Sequence, residues 1–232
     1  MNTMLILLLV GVATASTLWI GGLVGAFWKA PDWLIGVLVA FASGALITAL
    51  AFELFQDAVS EGGLTVASIG LAAGTVLFFI VDFLIDRYSD SSSGLGLLAS
   101  ITTDGVPENM ALGVGLIGAS VSDILALLVA ICASNLPEAL GGAAKMRDGE
   151  FSKQTTFTVW FATGVLLAGA IFIGYLTLRG TSDRVLALTR AIAAGAVLAS
   201  LASEVMPQAY RETNKAVAIA TAAGFLLTFL LL

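Results

Sequence analysis

Long apolar stretches separated by short polar breaks set the pattern of this chain. Eight such stretches can be marked, at about 4–27, 33–57, 64–86, 95–118, 120–144, 155–178, 184–208 and 216–232. A helix that crosses a bilayer needs about 20 consecutive apolar residues. Each stretch meets or approaches that length, and none shows the sustained period-2 alternation of a half-buried strand. Breakers fall between most of them: Pro31, Gly62-Gly63, the run Ser89-Asp90-Ser91-Ser92-Ser93-Gly94, and Asp148-Gly149. The fourth and fifth stretches almost touch, which requires a tight turn near 118–122. The first stretch lacks the basic start of a signal peptide and exceeds its usual apolar length, so it reads as a true span. The pattern predicts an all-α integral membrane protein of eight transmembrane helices, in one polytopic domain over 1–232.

Composition narrows this further. Of 232 residues, 59% are apolar and 11% charged, against about 25% charged in a soluble domain. So few charges cannot cover a globular surface in water. The mean hydropathy of +1.02 agrees. Cys132 is the only cysteine and there is no histidine. Intrachain disulfides, Cys-rich metal clusters, histidine-based catalysis and His-based zinc sites are excluded. No catalytic set is read, so a transporter is expected rather than an enzyme, without a bound cofactor. Lys and Arg distribute unevenly between the loops. One set of alternate loops holds Lys29, Arg87, Lys145, Arg147, Lys153, Arg211 and Lys215; the other holds Arg179, Arg184 and Arg190. The positive-inside rule puts the first set in the cytoplasm and both termini outside, in a cell membrane.

The second and seventh stretches match at a constant offset of 151. Ser43-Gly44-Ala45 faces Ala194-Gly195-Ala196, Leu50-Ala51 faces Leu201-Ala202, Glu53 faces Glu204, Ala58 faces Ala209 and Glu61 faces Glu212. The intervening spans make the two helices run in opposite directions. Such an inverted repeat, helices 1–3 against 6–8 around a central pair 4–5, is a signature of secondary transporters. A second pair lies in the middle. Asp104-Gly105-Val106-Pro107-Glu108 and Ser134-Asn135-Leu136-Pro137-Glu138 share Pro-Glu at an offset of 30. An internal proline leaves a backbone carbonyl without its helical partner, tolerated at membrane depth only where it is re-satisfied or lines a cavity.

The 16 acidic residues exceed the 10 basic ones, and many of the acids fall inside the spans. Three carboxylates facing lipid, Asp104, Glu108 and Glu138, would cost roughly 8–10 kcal/mol in insertion. They must face the bundle interior, and no Lys or Arg lies at their depth. Protonation, water or a bound cation is left as compensation. Asp104 and Glu108 stand at i and i+4, and Asn135 and Glu138 at i and i+3, so each pair shares a helix face. These are hard oxygen donors suited to a divalent cation. In the predicted topology Glu53 and Asp57 lie near the outer end, and Glu204, Asp82 and Asp86 near the inner end. Acids spaced in this way form a cation path, with weaker entry and exit groups around the central set.

The same residues give a family resemblance. The chain resembles the ZIP (Zrt/Irt-like) metal transporters over nearly its whole length. The fourth-helix motif of that family, His-Asn-x-Pro-Glu-Gly, reads here Asp104-Gly105-Val106-Pro107-Glu108-Asn109. The related fifth-helix motif reads Ser134-Asn135-Leu136-Pro137-Glu138-Ala139, and the seventh-helix Glu-x-x-Pro reads Glu204-Val205-Met206-Pro207. The second helix, where the family carries His or Glu and then Leu-x-Pro-Glu/Ala, reads Glu53-Leu54-Phe55-Gln56-Asp57. The resemblance implies eight spans, both termini outside, and a metal site between helices 4 and 5. The departures are Asp104 for histidine, Gly105 for asparagine, Ser134 for histidine or glutamine, and no glutamate in 164–169. The missing glutamate would bridge a second metal, so the resemblance is carried over as one central site of Asp104, Glu108, Asn135 and Glu138.

The expected function is transport of a divalent metal cation (zinc, iron(II) or manganese) into the cytoplasm by alternating access. Oxygen-only ligation shifts the chemistry towards iron(II) or manganese, while zinc also accepts carboxylates. The expected partners are the metal ion and the lipid bilayer, with a homodimer allowed and no nucleic acid. Two other readings stay open: a ZIP-like carrier or channel for another small cation with a carboxylate proton relay, and a non-transporting membrane scaffold whose acids lock helices.

Overall fold

Prolines and glycines decide where these apolar helices start, bend and end. The computed structural model describes residues 3–88, 94–118, 124–149 and 151–232. Helix α1 is Thr3–Phe27. Pro31 then opens α2, Asp32–Ala49, a position where its missing N–H costs nothing. A π-helical segment, Leu50–Phe55, carries α2 without a break into α3, Gln56–Tyr88. Gly63 interrupts α3 with φ 79° and ψ 161°, a conformation open to glycine alone. The Gly62-Gly63 break therefore appears as a bend between two helical rods. Next come α4, Gly94–Gly115, and α5, Leu125–Asp148. Each holds its proline inside the helix, Pro107 and Pro137. α6 is Lys153–Leu178, with the Ser152 hydroxyl capping Thr155 N–H at 3.0 Å. α7, Asp183–Ser200, passes through a second π segment, Leu201–Val205, into α8, Met206–Thr213. α9 is Ala216–Phe229.

Among the described residues, five helical stretches are long and apolar enough to cross a membrane: Thr3–Phe27, Asp32–Ile85, Leu125–Asp148, Lys153–Leu178 and Asp183–Thr213, with Ala216–Phe229 shorter. No strand occurs among the described residues. The chain is all-helical, and its long apolar helices fit a multi-pass membrane protein. Large apolar side chains such as Ile69, Val76, Ile80 and Phe83 lie on the outside of α3, where hydrocarbon would meet them.

The helix limits depart from the sequence pattern at two places. The second stretch continues to Gly62 and the seventh to Thr213, rather than ending near 57 and 208. In the first, the added turn carries Glu61, which bonds Arg190 of α7; in the second, Glu212 and Thr213 pack on Gly36 of α2, contacts that hydropathy does not register. The Ser-rich run 89–93 and most of the turn predicted at 118–122 lie outside the described residues; Gly118, at φ 77°, begins that turn.

The packing is organised around close glycine contacts. Along α2 and α9, a Cβ added at Gly44 would stand 1.9 Å from the Thr221 carbonyl oxygen, and one at Gly224 1.9 Å from the Phe41 oxygen. Along α7 and α3, a Cβ at Gly195 would stand 2.0 Å from the Leu71 oxygen, and one at Gly74 1.9 Å from the Ile192 oxygen. Phe41 and Gly44 match Ile192 and Gly195 at the offset of 151; Leu71 and Gly74 match Thr221 and Gly224 at 150. Helices in lipid associate through such backbone approaches, because no hydrophobic force separates them from lipid tails. Interhelical bonds accompany both: the Thr48 hydroxyl donates to the Phe225 carbonyl at 3.2 Å, and the Thr75 hydroxyl to the Gly195 carbonyl at 3.2 Å. The two proline-bearing helices take different partners. α5 packs on α1 and α2, and α4 on α6 and α7, with only slight contact between α4 and α5.

Candidate metal path

The two π segments place the carboxylates of α2 and α7. Glu53 is the fourth residue of Leu50–Phe55 and Glu204 the fourth of Leu201–Val205. A π turn inserts one residue and is enriched at functional sites. Two residues past the second segment, Pro207 cannot donate to the residue four back, which favours a distorted turn there. The matching position in the first is Gln56, so proline is not the common cause.

Glu53 is buried, and its carboxylate accepts two backbone bonds at the start of α5: from Ala126 N–H at 3.2 Å and Leu127 N–H at 2.6 Å. These N–H groups have no intrahelical acceptor, and the helix dipole adds to their attraction for an anion. The predicted entry group thus also anchors α5. Asp57, half-exposed, lies 3.6 Å from the guanidinium of Arg190, which bonds Glu61 as well. Arg190 is 4% exposed, and its Nε is buried with no hydrogen-bond partner. Its place inside the seventh apolar stretch follows from this double pairing. The sequence pattern counts Arg190 with the loop charges and Glu61 only as the match of Glu212; the structure buries Arg190 within α7 and pairs the two.

In the centre, Glu108 is buried at 7% exposure on α4 and Glu138 half-buried on α5. The side chain of Asp104 lies outside the described part, as does that of Asp86. Asn135 is buried, and its amide nitrogen donates to the Thr14 carbonyl of α1 at 3.3 Å. That bond turns the amide nitrogen towards α1, on which α5 packs. Among the described residues, no three of Asp, Glu or Cys side chains stand close enough to hold a metal ion together. The sequence pattern missed Asn109, next to Glu108 and fully buried. Its amide donates to the Gly105 carbonyl at 2.8 Å, while its oxygen has no hydrogen-bond partner.

At the other end, the Phe78 side chain clusters with Ala196 and Ala199. Asp82, one turn further along α3 and half-buried, then stands level with the segment that carries Glu204. Beyond Glu204, the Gln208 amide donates to Glu212 Oε1 at 3.0 Å, while Glu212 Oε2 is buried without a hydrogen-bond partner. Both residues line a cavity of about 200 Å³ together with Lys29, Asp32, Lys145 and Asp148. Lys29 pairs with Asp148 across its mouth. Lys29, Lys145 and Lys153 gather here, Lys153 over the Phe27 ring at 4.4 Å, so the loops with more basic residues share one end.

No protein-family model matches the chain, and no curated protein is significantly similar to it.

Proposed function

We propose that this protein is a divalent metal transporter of ZIP type, with zinc, iron(II) or manganese as its transported substrate. Eight helices cross the membrane, the bend at Gly63 separating the second from the third. The observation that carries the reading is the matched pair of π segments, each presenting a glutamate at the same position, 151 residues apart. Around them the contacts pair off as an inverted repeat requires: α2 with α9 against α7 with α3, and α1 with α5 against α6 with α4. Gly36 near the start of α2 meets Glu212 and Thr213, while Gly62 meets Ala187 near the start of α7, so the two helices run in opposite directions. Repeats of this kind hold a substrate site on interrupted helices near the midplane and expose it to each side in turn.

In this reading Glu108 and Glu138 are the core ligands, with Asp104 and Asn135 completing the shell. Glu53 and Asp57 guide entry. Glu204, Asp82 and Asp86 receive the ion at exit and pass it to the cavity beside Glu212. The cytoplasm lies on the Lys29 side, by the excess of basic residues there, and both termini lie outside. Any proton coupling runs through carboxylates, since the chain has no histidine.

Uptake of labelled zinc, manganese or iron(II) into liposomes tests the proposal. Flux should be present in the parent and lost in Glu138→Ala. Divalent metal should also raise the melting temperature, because a ligand that binds only the folded state stabilises it by mass action; Glu108→Ala should remove that gain. A parent with neither flux nor a metal response would return the chain to the scaffold reading. Flux that persists in Glu138→Ala would move the site elsewhere.

A further inference from the structure

Glu53 holds the first turn of α5 through Ala126 and Leu127 N–H. The matching turn of α4 can be found from the register of the two helices. Their Pro-Glu pairs are 30 residues apart, which carries Ala126 and Leu127 onto Gly96 and Leu97. On the other side, the offset of 151 carries Glu53 onto Glu204, at the same position in its π segment. α5 lies against α2, and α4 against α7.

We infer that Glu204 latches the first turn of α4, its carboxylate accepting the backbone N–H groups of Gly96 and Leu97, as Glu53 latches α5. Glu204 is then a positioning residue for the helix that carries Asp104 and Glu108. The two latches stand near opposite ends of the molecule, Glu53 towards Arg190 and Glu204 towards the cavity. Each proline-bearing helix is pinned at one end by a charge from the helix beside it. A carboxylate has about four acceptor positions, so two N–H bonds leave room for a passing cation. The inference rests on the inverted repeat proposed above and not on metal transport.

Hydrogen exchange of the full chain in lipid nanodiscs, without metal, tests it residue by residue. Removing a charge-assisted bond from an N-terminal amide should speed its exchange about tenfold or more. Glu53→Gln should do this at residues 126–127 and leave 96–97 unchanged. Glu204→Gln and Glu204→Ala should do it at 96–97 and leave 126–127 unchanged, Gln giving the smaller effect; if Ala prevents assembly, Gln carries the test alone. Unchanged exchange at 96–97 in Glu204→Gln overturns the inference, and so does a rise spread evenly over the chain. Failure of metal flux with the exchange pattern intact would count against the transport reading and leave the latch standing.

Discussion

At one end of the molecule Asp57 and Glu61 flank a buried arginine; at the other, their counterparts 151 residues on, Gln208 and Glu212, border a cavity. The backbones of the two helices match closely, down to the π segment and the close glycine. One difference is a buried position. Arg190 on α7 corresponds to Val39 on α2. Where the arginine is present, two carboxylates close around it. Where valine stands instead, Gln208 replaces one carboxylate and donates to the other, and Glu212 keeps an oxygen that nothing bonds. One end thus holds a buried cation between two carboxylates, and the other has a cavity beside a carboxylate oxygen without a hydrogen-bond partner.

The largest effect should come from the feature both halves share. Gly44→Val and Gly195→Val would each push side-chain atoms into a carbonyl oxygen about 2 Å away. Both should abolish the folded, monodisperse protein in size-exclusion profiles, while Gly169→Ala, with open space around it, should be silent. Unequal damage from the two valines would break the likeness of the halves.

Next is Arg190→Met. It leaves Asp57 and Glu61 without their cation and should cost roughly 2–3 kcal/mol, less than a fully buried pair because both carboxylates remain partly exposed. Combining it with Glu61→Gln should recover part of the loss in a double-mutant cycle of melting temperatures. An additive cycle would mean the pair contributes nothing. Glu212→Gln should be smaller still, within about 1 kcal/mol and of either sign, since it removes an unbonded buried acceptor as well as a charge. A loss as large as that of Arg190→Met would erase the contrast between the ends. Smallest is the pair at the cavity mouth. Lys29 and Asp148 are both more than half exposed, so their coupling should be the weakest of these in a double-mutant cycle and should vanish in high salt.

Much of this was legible in the chain itself. Lipid-length apolar runs need no partner to declare themselves, because every backbone polar group of such a run must be satisfied within its own helix. The Gly62-Gly63 break, the Pro31 start and the match of Glu53 with Glu204 are all local or offset patterns of this kind. Other features were out of reach. Continuation of the helices to Gly62 and Thr213 depends on contacts such as Arg190 with Glu61 and Gly36 with Glu212, residues more than a hundred positions apart. The π segments have no shared proline or glycine to announce them. The bond from the Asn135 amide nitrogen to the Thr14 carbonyl of α1 joins residues 121 positions apart.

The sequence by itself determined that the chain is an apolar, all-helical protein with acids placed inside its helices, two of them, Glu53 and Glu204, in segments that match at a constant offset. Hydropathy and insertion cost act on each segment alone, so they are written along the chain. Tertiary structure alone decided which of those acids meets a helix N-terminus, which meets an arginine and which borders a cavity. Those outcomes follow from how neighbouring helices run and in what register, and register is fixed where glycines let backbones touch, far from the acids in sequence.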